Sequence, residues 1–392
     1  MRKIIILLGA ASILLLAVLA IMPSTRYLFK ALVYQKPDIY DWDIFPKAIV
    51  RTSDWVGDLP ISSSTAVQLP DSLMQQLDEY RTTAFLVVKD SCIRYERYGL
   101  DGARDSISNA FSATKSIIGL LIGSAISDGA IHSIDDPIAT YLPELTGNSL
   151  GAVRILDLLT MSSGIKWDEN YSSLFDPVTR SYYGNNLRGQ MLALKMKTVP
   201  GKKFEYQSCN TQLLAMVLES ATQQPLAEYA SQKLWQPIGA VQSAYWSLDT
   251  EGGMPKAYCC FYARARDLAR IGLLVLNGGK SLNGRILVDS SYLARMVEPD
   301  SSLVDEHHNV VDFYGYQWWL LKYNGREVYY ARGILGQYVF VIPSENMVVV
   351  RLGHRRSKLR IGHHPNDIFI YLEAAFVLIN SKPEKSNGKT PS

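Results

Sequence analysis

The stretch that follows Ser112 places the strongest constraint on the fold of this chain. Residues 116–123 read Ser-Ile-Ile-Gly-Leu-Leu-Ile-Gly and are nearly all apolar. A helix that is apolar on every side cannot lie on a surface and has to be covered by other elements. The sequence therefore predicts a buried helix from Ser112 to about Ala130.

Strands are predicted near both ends of the chain. Residues 84–89 and 92–98 are rich in β-branched and aromatic residues and flank a polar turn at Asp90 and Ser91. The last third contains further runs rich in Val, Ile, Tyr and Trp, with a turn at 343–346. These runs are 316–321, 327–331, 337–342 and 347–352.

Helical patterns separate the two groups of strands, for example at 211–221 and 226–234, and a closing helix is predicted at 367–378. The fold class is therefore α+β. We expect one antiparallel sheet that is built from both chain ends and carries packed helices, with a mostly helical insertion at about 130–260. The expected organisation is a membrane segment at 1–30, a wrapping segment at 31–75, a main domain at 76–380 and a disordered tail at 381–392.

The N-terminus carries a candidate membrane segment. Arg2 and Lys3 precede an uncharged run from Ile4 to Met22, and an apolar helix of about 20 residues crosses a bilayer. The small residues near Ala20 make a poor cleavage site. We therefore expect an uncleaved anchor in the inner membrane with the body of the protein on the periplasmic side. Secretion after cleavage of this segment is the alternative.

The composition argues against several classes of function. The 40 basic and 37 acidic residues nearly balance, which argues against nucleic-acid binding. The most basic stretch, 351–360, is interpreted as a solvated loop. The sequence contains no H-E-x-x-H pattern and no paired C-x-x-C spacing, so no metal or other cofactor is predicted. Adjacent Cys259 and Cys260 would form only a strained ring if joined, whereas one long-range disulfide stays open.

The pattern S-x-x-K occurs three times, at Ser112–Lys115, Ser163–Lys166 and Ser386–Lys389. Only the first opens a buried helix, since the second contains Gly164 and resembles a loop and the third lies in the tail. Residues three apart on a helix share a face, so Lys115 can reach the Ser112 hydroxyl. Burial disfavours the charged amine, and a neutral amine can accept the serine proton.

The start of the same helix offers free N–H groups that can stabilise an oxyanion. The alternative is a structural role, in which Ser112 caps the helix and Lys115 extends outward. A general acid for the leaving group is also needed, and Tyr206 stands out because a Pro200-Gly201 turn precedes it.

Several segments together resemble the serine β-lactamase and penicillin-binding-protein superfamily, in particular its class C-like branch. This branch includes esterases, D-aminopeptidases and 6-aminohexanoate-dimer hydrolases. The segments appear in the family's order between about residues 80 and 380. They are Phe111–Ser116, Ile134–Pro137 with Tyr141–Pro143, Leu158–Gly164, Pro200–Tyr206, Asp267–Gly272, and Gly333 with Gly336–Gln337.

The resemblance implies that Ser112 is acylated, that Lys115 activates it and that Tyr206 shuttles protons. It implies that the backbone N–H groups of Ser112 and Ile334 form the oxyanion hole. The family's Lys-Thr-Gly strand triad falls on Ala331-Arg332-Gly333, and the Asn of its Tyr-x-Asn motif falls on Ser208. Because the family's Lys and Asn are both replaced, efficient β-lactam hydrolysis is less expected than ester or amide hydrolysis.

The remaining candidate substrate-binding residues are Ser208, Arg332, Gly333, Trp167 and Asp168, with Glu169 beside the last as a second carboxylate that could bind a substrate amine. Other aromatic residues could line a cleft, although core packing is their expected role: Tyr171, Tyr182, Tyr183, Trp318 and Trp319.

The predicted function is hydrolysis of a small ester or amide through an acyl-enzyme. A true β-lactamase or D-Ala-D-Ala peptidase is one alternative. The other is a membrane-tethered binding protein without catalysis, which the intact Ser112, Lys115 and Tyr206 set disfavours. The oligomeric state is not predicted.

Overall fold

The computed structural model describes residues 3–4, 6–7, 18, 21–22, 25–53, 57–62, 68–171 and 173–380. Most of the predicted membrane segment and the whole tail at 381–392 lie outside these residues. Among the residues that are described, no helix has the length and apolar character that a membrane span needs. The anchor and the periplasmic location therefore stay predictions.

A six-stranded antiparallel sheet forms the centre of the molecule. Its strands lie side by side in the order β3 (Cys92–Tyr98), β2 (Thr82–Lys89), β10 (Met347–Gly353), β9 (Gln337–Ile342), β8 (Arg326–Gly333) and β7 (Trp319–Tyr323). The first two come from the N-terminal part of the chain and the other four from the C-terminal third, so the predicted α+β fold is confirmed.

One strand begins later than the sequence predicts. Residues 316–318 match the strand pattern, but β7 starts at Trp319. Gln317 has a φ of 63°, which an extended strand cannot contain. Its side-chain amide donates to the carbonyl oxygens of Leu158 and Leu159, each at 3.0 Å. These bonds hold the chain in a turn ahead of the strand.

The apolar helix is buried, as predicted, but it begins two residues later than expected. Helix α3 (Thr114–Ser127) is buried along nearly its whole length. Ser112 precedes it on a 3₁₀ turn, Phe111–Ala113. The nucleophile candidate is therefore presented on a tight turn that leads into the helix.

Helices cover both faces of the central sheet. Helix α9 (Ala265–Leu276) packs on β9, β10 and β2, while α2 (Asp71–Glu79) and α11 (Asp367–Asn380) pack together at the opposite face. Helix α3 contacts helices α7 (Ser208–Thr222) and α10 (Ser290–Met296) and strand β8. A second, smaller sheet has four strands. The other helices in chain order are α1 (Arg26–Tyr34), α2 (Asp71–Glu79), α4 (Ile155–Leu159), α5 (Pro177–Tyr183), α6 (Leu187–Leu192), α7 (Ser208–Thr222), α8 (Leu226–Ala230), α9 (Ala265–Leu276), α10 (Ser290–Met296) and α11 (Asp367–Asn380). The small sheet consists of β1 (Lys47–Val50), β4 (Ser108–Asn109), β5 (Ala244–Ser247) and β6 (Phe261–Ala263), and a separate two-stranded ribbon consists of β11 (Arg360–Ile361) and β12 (His364–Pro365).

The cysteine pairing differs from the expectation. Cys259 and Cys260 are joined to each other by a disulfide, whereas Cys92 and Cys209 are free thiols. The long-range disulfide that the sequence left open is therefore not formed. Both carbonyl groups of the bonded pair accept hydrogen bonds, from the Trp246 indole and the Ser247 amide, so strand β5 holds this turn.

The interpretation of 351–360 as a solvated loop is wrong at its first residue. Arg351 lies on β10 and is fully buried. Its guanidinium donates to the carbonyl oxygens of Tyr80, Leu335 and Gly336. These carbonyl groups supply the hydrogen bonds that a buried cation requires, which a charge count along the sequence cannot reveal.

Candidate active site

The turn that carries Ser112 is held from both sides. The Asn109 side chain accepts a hydrogen bond from the Phe111 amide at 2.9 Å, and the Ala110 amide donates to the Phe261 carbonyl at 2.8 Å. Phe111 itself has a φ of 45°, a conformation that costs energy for a residue with a side chain. The surrounding bonds maintain this strained backbone immediately before the serine.

Lys115 is buried and its amine meets three oxygen atoms. Its Nζ lies 3.0 Å from Ser112 Oγ, 3.2 Å from Ser208 Oγ and 2.8 Å from the Tyr258 carbonyl oxygen. The side chain is only 1% exposed. It forms no salt bridge with any carboxylate in the described part of the chain. The amine is therefore within hydrogen-bonding distance of the Ser112 hydroxyl and has no carboxylate partner among the described residues.

The ring of Tyr206 also lies near the Lys115 amine. Lys115 Nζ is 5.1 Å from the centroid of its ring, and the ring packs against Trp319 and Tyr314 at centroid distances of 5.3 and 6.1 Å. The structure therefore places both Ser112 Oγ and the ring of Tyr206 beside the Lys115 amine.

Glu169 organises one wall of the site. From the sequence it was predicted only as a possible ligand for a substrate amine. Glu169 accepts hydrogen bonds from the Ser208 hydroxyl at 2.5 Å and from the Ser208 amide at 2.7 Å. It also accepts from the Trp167 indole at 2.7 Å and the Tyr171 hydroxyl at 2.5 Å. Ser208 thus connects the carboxylate to Lys115.

Asp168 lies outside this arrangement. Its carboxylate accepts from the Asn170 amide at 3.0 Å and is exposed to solvent. Alternate residues of an extended segment face opposite sides, so Trp167 and Glu169 face the site and Asp168 faces away. Of the two carboxylates that the sequence offers after Trp167, Glu169 lines the site and Asp168 does not.

The end of β8 lies against the serine turn. A side chain at Gly333 would place its Cβ 2.3 Å from the Ala110 carbonyl oxygen and 3.1 Å from Phe111 Cβ, so only glycine permits this approach. Ile334 follows, and both it and Ser112 line the same cavities. This close packing brings the two backbone segments that carry the predicted oxyanion donors next to each other.

Replacing Gly333 with alanine is expected to lower both stability and activity. The new Cβ meets backbone atoms that cannot rotate away, so the serine turn or the Ile334 amide has to shift. We expect a loss of 1–3 kcal/mol in the free energy of unfolding, as in other overpacked sites (an order-of-magnitude figure). Loss of one oxyanion donor typically lowers kcat by about 10²-fold.

Urea unfolding and steady-state kinetics would measure the two effects of Gly333→Ala. Gly57→Ala is the matched control, because a Cβ at Gly57 meets no atom within 4 Å. Wild-type stability and kcat in Gly333→Ala would contradict the close approach of these two segments.

A cavity open to solvent, of about 1160 Å³ including its mouth, lies beside Ser112 and Tyr206 and is lined by three arginine side chains. Arg332 Cζ lies 3.2 Å from the centroid of the Trp319 ring, and its Nη1 donates to the His363 carbonyl oxygen. Arg356 and Arg360 line the same space. None of the three forms a salt bridge with a carboxylate of the described residues. We call Arg332, Arg356 and Arg360 the arginine cluster.

The charges of the arginine cluster affect its neighbours. Desolvation and repulsion by Arg332 and Arg356 lower the pKa of the Arg360 guanidinium. Burial, Arg332 and His363 lower the pKa of His364 to about 3, so this imidazole is neutral at physiological pH. Arg332 was predicted as a substrate contact. Arg356 lies in a loop and Arg360 is exposed, as expected for a solvated stretch, but both also line the cavity.

The second S-x-x-K motif has no comparable geometry. Ser163 is buried and its hydroxyl donates to Asn210 Oδ1 at 2.6 Å, while Lys166 is exposed and follows a loop turn at Gly164. The third motif, Ser386–Lys389, lies outside the described residues. No group of three or more potential metal ligands is found in the described part of the chain.

Comparison with known families and proteins gives matches over most of the chain. A family model described as Beta-lactamase matches residues 70–368. The 6-aminohexanoate-dimer hydrolase of Paenarthrobacter ureafaciens is 30% identical over 305 residues, which cover 73% of this chain and 76% of that protein.

Two solved structures share the fold. The "Putative 6-aminohexanoate-dimer hydrolase from Bacillus anthracis" superposes with a TM-score of 0.74 and 22% identity, covering 90% of this chain and 93% of the other. A penicillin-binding protein from Bacillus halodurans superposes with a TM-score of 0.60 and 18% identity, covering 78% and 99%. At these identities the superpositions establish the fold alone.

Proposed function

Because the chain belongs to the β-lactamase family of serine hydrolases, we propose that it hydrolyses an ester or amide bond through an acyl-enzyme on Ser112. The observation that carries this proposal is the contact of the buried Lys115 amine with Ser112 Oγ at 3.0 Å. Hydroxyl, amine and phenol are the three groups that nucleophilic attack and proton transfer require.

The proposed reaction has two halves. Ser112 Oγ attacks the substrate carbonyl carbon while Lys115 takes the hydroxyl proton, and the backbone N–H groups of Ser112 and Ile334 stabilise the oxyanion. The bond to the leaving group breaks, and Tyr206 passes the proton to the departing oxygen or nitrogen. Water then attacks the acyl-serine, its proton returns through the same groups, and a carboxylic acid is released.

The chemistry of the site favours a leaving group that carries a negative charge. Tyr206 and the arginine cluster line the same cavity, so a group protonated by Tyr206 departs beside three cations. Four carboxylates line the same cavity, on Glu169, Glu205, Asp305 and Glu306. Glu205 pairs with Lys197, Asp305 with His363 and Glu306 with His307, while Glu169 accepts from uncharged donors. Because none of them forms a salt bridge with the arginine cluster, a carboxylate or similar anion on the leaving group can pair with these guanidinium groups.

The same residues separate this proposal from a true β-lactamase. Ser208 has a hydroxyl where a β-lactamase offers a side-chain amide to its substrate. That hydroxyl is already hydrogen-bonded to Glu169 and Lys115. Ala331 is buried and uncharged. In this proposal Arg332 and its neighbours, instead of residue 331, recognise an anion. This arrangement is consistent with a linear ester or amide rather than a bicyclic β-lactam.

The test uses the purified full-length protein with short p-nitrophenyl esters, a chromogenic cephalosporin and linear amide dimers that end in a carboxylate. A fluorophosphonate probe followed by peptide mass mapping identifies the acylated residue. We expect label on Ser112 and turnover of the ester and the dimer above that of the cephalosporin. Label absent from Ser112, with no turnover, would favour a binding protein. Faster cephalosporin turnover would favour a β-lactamase.

Replacing Glu169 with glutamine is expected to slow the reaction without unfolding the protein. An amide keeps the shape of the side chain but cannot accept hydrogen bonds from all four donors that now meet the carboxylate. Ser208 then loses its fixed position beside Lys115, and we expect kcat to fall on the order of 10- to 100-fold, as for other positioned proton-transfer sites. Steady-state kinetics with a short ester measure the change. Asp168→Asn, one residue away and facing solvent, should retain wild-type kcat; equal effects of both variants would contradict the role of Glu169.

A further inference from the structure

A second cavity opens on the other side of Ser112. It encloses about 730 Å³ including its mouth and shares Ser112, Tyr171 and Ile334 with the cavity of the arginine cluster. None of the described residues that line it carries a charge. Its remaining lining residues are mainly apolar or aromatic: Ala31, Gln35, Pro37, Phe111, Ser173, Leu174, Val178, Thr179, Tyr182, Tyr183, Ser208, Tyr258 and Cys259.

Several of the polar groups in this wall already have partners. The Tyr182 hydroxyl donates to Asp41 at 2.7 Å, and the Thr179 hydroxyl donates to the Ser173 carbonyl at 2.9 Å. Ser208 is held by Glu169. The surface offered to a ligand is therefore mostly hydrocarbon and aromatic carbon, which binds apolar groups by removing them from water.

Helix α1 supplies one side of the cavity. Ala31 is its buried residue and lines the space, followed by Gln35 and Pro37. The helix packs against α5, and Tyr34 stacks on Tyr183 at a centroid distance of 6.3 Å and an interplanar angle of 9°. This helix lies outside residues 70–368, the region matched by the family model.

The position of Tyr206 decides which part of a substrate enters each cavity. Tyr206 lines the cavity of the arginine cluster and is absent from the lining of the second one. The leaving group departs toward the phenol that protonates it, so the part that stays bonded to Ser112 faces the second cavity.

We propose that this second cavity binds the acyl part of the substrate, an uncharged apolar chain, and that helix α1 sets the chain length accepted. The inference rests on the proposed function, because it assigns the acyl side of the same reaction. Each methylene that enters such a cavity contributes a free energy of transfer that corresponds to roughly a fourfold gain in kcat/KM.

The experiment measures kcat/KM of the full-length protein for p-nitrophenyl esters from acetate to decanoate. We expect an increase of roughly fourfold per added methylene until the cavity is filled, then a decline. In Ala31→Phe the new ring occupies the cavity, so the ratio of octanoate to acetate kcat/KM should fall at least about tenfold. Val33→Phe is the matched control, since Val33 is 56% exposed on the same helix and outside the lining, and it should keep the wild-type ratio.

The outcomes separate the two proposals. A flat chain-length profile in the wild-type protein, with the acetate ester hydrolysed and Ser112 labelled, would overturn the acyl cavity alone. Lack of any ester turnover and of label would overturn the proposed function. The wild-type profile needs no variant, so the test remains decisive even if Ala31→Phe does not fold. An unchanged ratio in a folded Ala31→Phe would also overturn the role of α1.

Discussion

Replacing Ser112 with alanine is expected to lower kcat for a short ester by at least about 10⁴-fold, in line with removal of the nucleophile from other serine hydrolases. The substitution removes one hydroxyl and leaves a methyl group at a turn that is held by Asn109 and the Phe261 carbonyl. No other described serine contacts the Lys115 amine except Ser208. Fluorophosphonate labelling should disappear together with turnover.

The control for this loss is Ser163→Ala, which changes the serine of the second S-x-x-K motif. It removes the hydrogen bond to Asn210 and should cost about 1 kcal/mol of stability. Its kcat should stay within a few fold of the wild type. If Ser112→Ala were still labelled and active, Ser208 would have to be tested as the nucleophile and the mechanism would be wrong.

Replacing Lys115 with methionine is expected to lower kcat by about 10³-fold, within the range known for loss of a positioned proton acceptor. Methionine is unbranched and fills a similar space, but it cannot accept the Ser112 proton. Because the amine is buried without a carboxylate partner, its removal should leave the thermal midpoint almost unchanged or raised. The combination of lost activity with retained stability distinguishes a proton acceptor from a structural residue.

Lys166→Met provides the matched control, since Lys166 has the same sequence spacing but is exposed. Both kcat and the unfolding midpoint should equal those of the wild type. Activity retained in Lys115→Met would show that another base accepts the proton.

The sequence predicts the central strands and the buried helix because these depend on local patterns. The bounds Cys92–Tyr98 and Gln337–Ile342 agree with the prediction, as alternating and β-branched residues are flanked by turn residues there. The start of β7 was missed because the turn at Gln317 is imposed by hydrogen bonds to Leu158 and Leu159. Contacts between residues so far apart in the chain leave no local signal.

Ser112 and Lys115 could be identified from the sequence because residues three positions apart on a helical path lie on the same face. Arg356 and Arg360 were interpreted as a loop because a run of basic residues usually faces water. Their approach to Arg332 depends on how β11 and the preceding segment fold back beside β8, which requires the tertiary structure.

The pairing of β2 with β10 has a consequence for how the protein is made. Lys89 lies opposite Met347, and Thr82 lies opposite Gly353. Strand β2 therefore can pair with β10 only after nearly the entire polypeptide has been synthesised. During most of synthesis on the ribosome, the apolar strand β2 has one edge without a partner. Such an edge promotes aggregation, and its late pairing slows folding. C-terminal truncations that remove β10 should therefore yield insoluble product rather than a shortened enzyme.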